Sequence, residues 1–423
     1  MREENKIKLD EQLVRCVLDD KLSNDKKLRK MDYIIKMGGD INAESGLGFS
    51  VLSLAKMMQN DELVNFLEEK GAKETEFNSE KATNFFKTAS IEEINKVLKI
   101  LPDEFELDCN VDLSERGLTE LPDFSKVIVK GVFYCDENQL DSLKGAPRKV
   151  GESFVCCGNQ LVSLEGAPRE VGGDFDCDSN ELTTLKGAPR EVGGLFYCSH
   201  NKLISLEGAP SKVSGTFVCS YNQLVSLRGV PSKVGGDFNC SHNMLDSLEG
   251  APSIVGGDFD CSHNKLDSLE GAPSEVGKSF ECCSNQLVSL RGAPRKVGGY
   301  FNCSHNKLIS LEGAPREVRR HFDCSYNQLD SLEGAPSVVG GDFNCYDNRL
   351  TTLRGTPREV GGDFYCFDNQ LISLEGGPRI VEGNFYCSDN PLKSYKGKPD
   401  KIGGEFRAPK IEQVNIINSG IVR

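Results

Sequence analysis

Phenylalanine returns every 21 residues through most of this chain, from Phe133, Phe154 and Phe175 to Phe406, and the interval never slips. Two residues after each of the first thirteen stands a cysteine, Cys135 to Cys387, and three residues further an asparagine, Asn138 to Asn390. A period without insertions requires each unit to be one turn of a solenoid, because an added residue would take like side chains out of register. The F-x-C step alternates core and solvent, which predicts a short strand with one buried face. Fourteen such strands stacked in parallel at about 4.8 Å would run on the order of 60 Å. Gly-Gly before the strand and Gly-Ala-Pro after the Leu pair are turn chemistry, since Pro fixes φ and has no N–H to give a ladder. Each coil is expected to hold one strand and two tight bends. A looser coil over 111–122 precedes the others at an offset of 22 residues, with Leu113 in the Cys phase. The array therefore counts 14–15 coils.

The unit F-x-C-x-x-N-x-L, as in Phe259, Cys261, Asn264 and Leu266, resembles the leucine-rich-repeat core L-x-L-x-x-N-x-L, with Phe and Cys at its first two Leu positions. The likeness covers residues 111 to about 410. The short period and the L-x-G-A-P corner are most similar to the class of about 20 residues found in bacterial effector proteins, whose Leu-Pro corner replaces a convex helix. This chain is one residue longer per coil. The resemblance implies that the Asn side chains point inward and satisfy backbone groups of adjacent turns, a task suited to an amide that both donates and accepts.

Upstream, residues 31–74 are similar to an ankyrin repeat. Gly38 and Gly71 stand 33 residues apart, and Gly48, Leu52 and Ala55 match its T-P-L-H-x-A helix start, with Ser50, Val51 and Ser53 in place of its Thr, Pro and His. A helix-like stretch over 11–20 precedes them. A helical pair over 79–87 and 91–101 follows and stops at Leu101-Pro102, since the residue before Pro avoids helical angles. The expected organisation is a small all-α ankyrin-like domain over 1–106, a parallel-β leucine-rich-repeat solenoid over 107–410, and a tail over 411–423 that caps the last coil.

The 423 residues carry 64 acidic and 50 basic side chains, net −14, and the excess is shared along the chain. That balance argues against nucleic-acid or anionic-membrane binding. No apolar run approaches the roughly 18 residues of a membrane span, and the charged first ten residues show no secretory signal. Thirteen of the 17 cysteines share one core phase, where Cys acts as a small hydrophobe; a reducing compartment is expected. Cys157 and Cys283 each follow a core Cys and are the candidates for reactive thiols. His200, His242, His263 and His305 occupy one phase, read as repeat inheritance rather than a metal site, which needs three or four convergent ligands. Phosphate-loop, H-E-x-x-H and G-x-S-x-G patterns are absent, so no enzyme, cofactor or metal is expected.

Function in a solenoid is carried by phases that vary between otherwise constant coils. Before the Phe these hold Asp174, Asp237, Asp258, Asp342 and Asp363. Between Phe and Cys they hold Tyr134, Asp176, Tyr197, Asn239, Asp260, Asn302, Asp323, Asn344, Tyr365 and Tyr386, and just after the Cys, Tyr346 and Phe367. Lys and Arg sit on the corners instead, intermixed with Glu. An acidic, Tyr-bearing concave face suits a protein or peptide with a basic surface. The expected protein is a monomeric, non-enzymatic interaction scaffold in the cytoplasm, or in a host cytoplasm if delivered as an effector. Two alternatives stand beside it. One, implied by the resemblance, is the substrate-recruiting part of a ubiquitin-ligase-type effector without its catalytic domain. The other is an acidic nucleic-acid mimic.

Overall fold

The computed structural model describes residues 3–411. Six helices come first: α1 (Glu3–Leu18), α2 (Asn24–Lys36), α3 (Val51–Met57), α4 (Asp61–Glu69), α5 (Ser79–Thr88) and α6 (Ile91–Ile100). Their starts are built by short polar side chains that accept the orphan N–H groups of a first turn. Ser50, Asn60 and Asn78 each accept from a backbone N–H three residues on, and Ser90 forms a reciprocal capping box with Glu93. Gly38 and Gly71, just past α2 and α4, take φ of 100° and 82°, a conformation that favours glycine. The pair expected over 79–87 and 91–101 is present as α5 and α6, and α1 begins eight residues before the stretch expected over 11–20 and ends two residues short of its end.

The remainder is a parallel-β solenoid with a 21-residue period. Each coil carries two strands of two residues, not one: Ile254–Val255 and Phe259–Asp260 are the pair in one coil. Each strand pairs in parallel with the same step of its neighbour, Val255 with Val276 and Phe259 with Phe280. The first strand of the pair was not legible because it holds a single buried Val followed by Gly, too short to show alternation. By contact the described residues form two compact units, one reaching to 197 with 208–210, the other holding 198–207 and the residues from 211 on. The first contains the helices and the early coils.

Five side chains per coil make the core. Val255, Phe259, Cys261, Leu266 and Leu269 are all fully or almost fully buried, each burial removing about 1–3 kcal/mol of apolar exposure. Like residues stack on like: the Phe259 and Phe280 rings lie 5.2 Å apart and nearly parallel. The cysteine phase has a second use, since the Cys261 thiol donates to the carbonyl of Glu281 on the next coil at 3.3 Å. The Asn column behaves as the resemblance implied. Asn264 Nδ2 donates to the carbonyls of Cys240, Cys261 and Ser262, and its Oδ1 accepts from the N–H of Leu245, at 3.0–3.2 Å. The corner glycine is required twice over: Gly271 has φ +88°, and a Cβ there would lie 2.8 Å from the Leu248 carbonyl.

In the first unit the helices continue the same core. Phe86 of α5 contacts Phe124 at 5.6 Å, Phe124 contacts Phe133 at 5.1 Å, and Phe133 stacks on Phe154 at 5.5 Å. Arg116 of the first coil turns its guanidinium onto the end of α5, donating to the carbonyls of Phe86, Lys87 and Ala89. Those carbonyls include acceptors left open at a helix C-terminus, where a cation is favoured. At the other end Tyr395 packs edge-on against Phe406 at 5.5 Å, Lys398 lies 4.2 Å over the same ring, and the Tyr395 hydroxyl donates to Pro409 O at 2.6 Å. The expected tail, apart from Ile411, lies outside the described residues.

Candidate functional site

The residue between Phe and Cys is held half-buried by the pleat, with its backbone in the second strand of each coil. Tyr134, Asp176, Tyr197, Asn239, Asp260, Asn302, Asp323, Asn344, Tyr365 and Tyr386 all stand in this row. Many of its polar members have a local task. Asp260 Oδ1 accepts from both the N–H and the hydroxyl of Ser262, at 2.9 and 2.6 Å, and Asn239, Asn302 and Asp323 do the same to the Ser two residues on. Asp176 accepts from the N–H of Asp178 at 3.0 Å. Burial pushes the carboxyls of Asp176 and Glu281 above the usual carboxylate range.

The row before the Phe forms a further ladder that sequence reasoning missed. Asp174, Asp237, Asp258, Asp342 and Asp363 each accept, through Oδ1, the N–H of the same phase on the next coil, at 2.7–2.8 Å. Ser153, Thr216, Ser279, His321 and Asn384 make the same bond in other coils. This phase is therefore rich in side-chain acceptors, most of them short, with Leu195 and Tyr300 as exceptions. Its Asp residues are part of the scaffold as well as members of the candidate face, a role visible in the sequence only as the company they keep with Ser, Thr and Asn.

The aromatic members of the second unit come together. Tyr346 stacks on Phe367 at 4.5 Å, Tyr365 on Tyr386 at 5.1 Å, and Tyr365 meets Phe367 edge-on at 6.4 Å. The Tyr365 hydroxyl donates to Asp363 Oδ2 at 2.8 Å, and burial with that neighbouring carboxylate pushes the phenol up. Asn344 lies beside this cluster. Its Nδ2 donates to Asp323 Oδ2 at 3.2 Å, while its buried Oδ1 makes no hydrogen bond, because Tyr346 stands where the coils of Asn239 and Asn302 supply Ser241 and Ser304. Tyr134 and Tyr197 belong to the other unit.

A second aromatic row lies one phase further on. The phase of His200, His242, His263 and His305 also holds Tyr221 and Tyr326. His200, Tyr221, His242 and His263 form a continuous stack with centroids 4.2–4.6 Å apart, and His305 stacks on Tyr326 at 4.1 Å. The signal was the 21-residue spacing of the two Tyr from the His. All six have φ of 51–53°, a left-handed turn in which a bulky side chain is uncommon.

No group of three or more His, Cys, Asp or Glu suited to a metal ion is found among the described residues. Cys157 and Cys283 are half-buried rather than open, and burial next to carboxylates pushes their thiols up to about 12 and about 11. They are therefore poor nucleophiles at neutral pH. No described helix is long and apolar enough to cross a membrane. The corner charges pair between coils, Arg228 with Glu249 at 3.1 Å and Arg291 with Glu312 at 2.9 Å, as exposed pairs that solvent and salt screen. In the helical region Ser45, Gly46 and Phe85 line a cleft of about 240 Å³, which the sequence did not signal.

These features define a parallel-β solenoid of the leucine-rich-repeat type. The chain is similar to YopM, a leucine-rich effector protein from Yersinia pestis, at 17% identity over 71% of this chain and 88% of that one, with a TM-score of 0.49. It is also similar to the leucine-rich-repeat domain of APL1, at 16% identity over 73% and 78% of the two chains and a TM-score of 0.43. The functional domain of InlJ from Listeria monocytogenes, described as including a cysteine ladder, matches at 17% identity over 69% and 70%, with a TM-score of 0.39. No family model and no curated protein matches the chain.

Proposed function

We propose that the chain is a non-enzymatic protein-interaction scaffold whose strand face receives a protein or peptide with a basic surface. The observation that carries this reading is the contiguous cluster of Tyr346, Tyr365, Phe367 and Tyr386 beside the carboxyl groups of Asp323 and Asp363. Packed aromatic rings give contact area at low entropic cost, and neighbouring carboxylates orient a cationic partner and speed its approach. The helices over 1–106 serve as the cap of the first coil, a role supported by the Phe86–Phe124–Phe133 contacts and the Arg116 clamp. The array over 107–410 presents the face.

The test is capture of proteins from lysate by the intact chain and by a Tyr365→Ala, Phe367→Ala, Tyr386→Ala variant whose melting is checked first. The reading expects basic proteins on the intact chain, released by modest salt because exposed charge attraction is screened, and their loss from a folded variant. Undiminished capture by the folded variant rejects the strand face as the site.

A further inference from the structure

One phase of the second unit carries rings on both sides of a position that has none. His263 and His305 lie two coils apart with Ser284 between them, and all three share the same left-handed backbone, φ 53–54°. Their side chains therefore leave the turn in the same direction, and the Ser ends at its hydroxyl where its neighbours extend a ring. Two strand spacings set the imidazole planes roughly 9.6 Å apart, room for one planar ring at ordinary stacking distance from each. Both walls are braced from behind: His242 stacks on the far face of His263 at 4.2 Å and 10°, and Tyr326 on the far face of His305 at 4.1 Å and 14°. Among the described residues no other member of this phase stands between two rings without being one.

The chain also shows what fits such a gap. Two His at the same two-coil interval, His200 and His242, hold the phenol of Tyr221 between them at 4.6 and 4.2 Å, within 9° of parallel to each. We infer that the His263–Ser284–His305 gap is a stacking slot for an aromatic side chain of a partner polypeptide, with Tyr221 as the built-in example of the occupied state. The slot opens on exposed residues, since His263 and His305 are both exposed. Stacking on a ring face favours an offset, parallel aromatic group of this kind. The source of the ring rests on the reading of the chain as a protein-binding scaffold, but the slot itself is tested without any partner.

The protein is labelled at the Cε1 carbon of its five histidines and titrated with N-acetyl-L-tyrosinamide, following the imidazole signals by NMR. Insertion predicts saturable upfield ring-current shifts at His263 and His305, larger than those at His200, His242 and His321. Ser284→Tyr supplies the ring from the chain itself: both signals move upfield without ligand and the response to the probe is abolished. Tyr221→Ser, in a folded variant, opens a second slot and transfers a response to His200 and His242. Absence of a saturable shift at His263 and His305, or a response that persists in Ser284→Tyr, overturns the inference. Loss of partner capture in the strand-face variant with the probe response retained separates the two readings, since only the former concerns Tyr365, Phe367 and Tyr386.

Discussion

Replacing Asn264 by Ala removes a buried amide that joins two adjacent coils through four hydrogen bonds, and the structure says what each loss leaves behind. The Cys240 carbonyl keeps a bond from Asn243, the Cys261 carbonyl one from Asn285, and the Ser262 carbonyl one from the N–H of His242. Only the N–H of Leu245, in a fully buried residue, is orphaned. One orphaned donor costs about 1–3 kcal/mol and the thinner sharing at the carbonyls adds roughly 1, so a loss of about 3 kcal/mol is expected. Asn264→Asp keeps the acceptor for Leu245 but turns a carboxylate oxygen toward the Cys240 and Cys261 carbonyls, and only its protonated form donates to them. Its folded pKa is therefore raised, the folded state binds the proton more tightly than the unfolded chain, and the penalty grows as pH rises past the unfolded value of about 4. Urea unfolding at pH 7 and pH 4 measures both variants. Hydrogen exchange at Leu245 localises the effect, because an array opens in local units. Asn264→Ala within about 0.5 kcal/mol of the parent, the range of an ordinary surface substitution, or Asp no worse at pH 7 than at pH 4, refutes the account of the Asn column.

Three further outcomes follow from particular contacts. Arg116→Ala leaves the Phe86, Lys87 and Ala89 carbonyls without their charged donor; a loss of about 1–3 kcal/mol should appear as faster exchange across α5 and α6, and unchanged exchange there would show the clamp to be idle. Glu281→Gln should raise the melting temperature at pH 7. Burial raises the folded pKa of Glu281, so its ionised form destabilises the fold above that value, and the gain should vanish below the unfolded pKa of about 4.3. In a native sample at pH 7.5, labelling by a thiol reagent should be slower than of a free thiol on the order of a hundredfold at Cys283 and more at Cys157, given thiols pushed up to about 11 and about 12; rates near the free value would contradict that placement.

The solenoid was legible because its physics is one-dimensional: a 21-residue period with Phe, Cys, Asn and Leu at fixed phases leaves one stacking solution, and Asn264 and Phe259 do what their phases imply. The Ile254–Val255 type of strand was not, because two residues carry no period. The acceptor ladder through Asp237 and Asp258 was hidden for a different reason. Asp on a strand face reads as solvation or binding until the next coil's N–H is seen pointing at it. For the candidate face, sequence supplied the members but not their grouping: the edge-on meeting of Tyr365 and Phe367 depends on side-chain direction. The unsatisfied Asn344 Oδ1 became visible only once Tyr346 was seen to displace the usual Ser.

The most direct test of the scaffold reading places a photo-crosslinking residue at position 367, in the aromatic cluster, and separately at position 309, an exposed corner site, in otherwise intact protein. The account predicts salt-sensitive crosslinks to basic proteins from position 367, few from 309, and their disappearance when Tyr365 and Tyr386 are also changed to Ala. Equal crosslinking from both positions, or crosslinks that survive those changes, would contradict it.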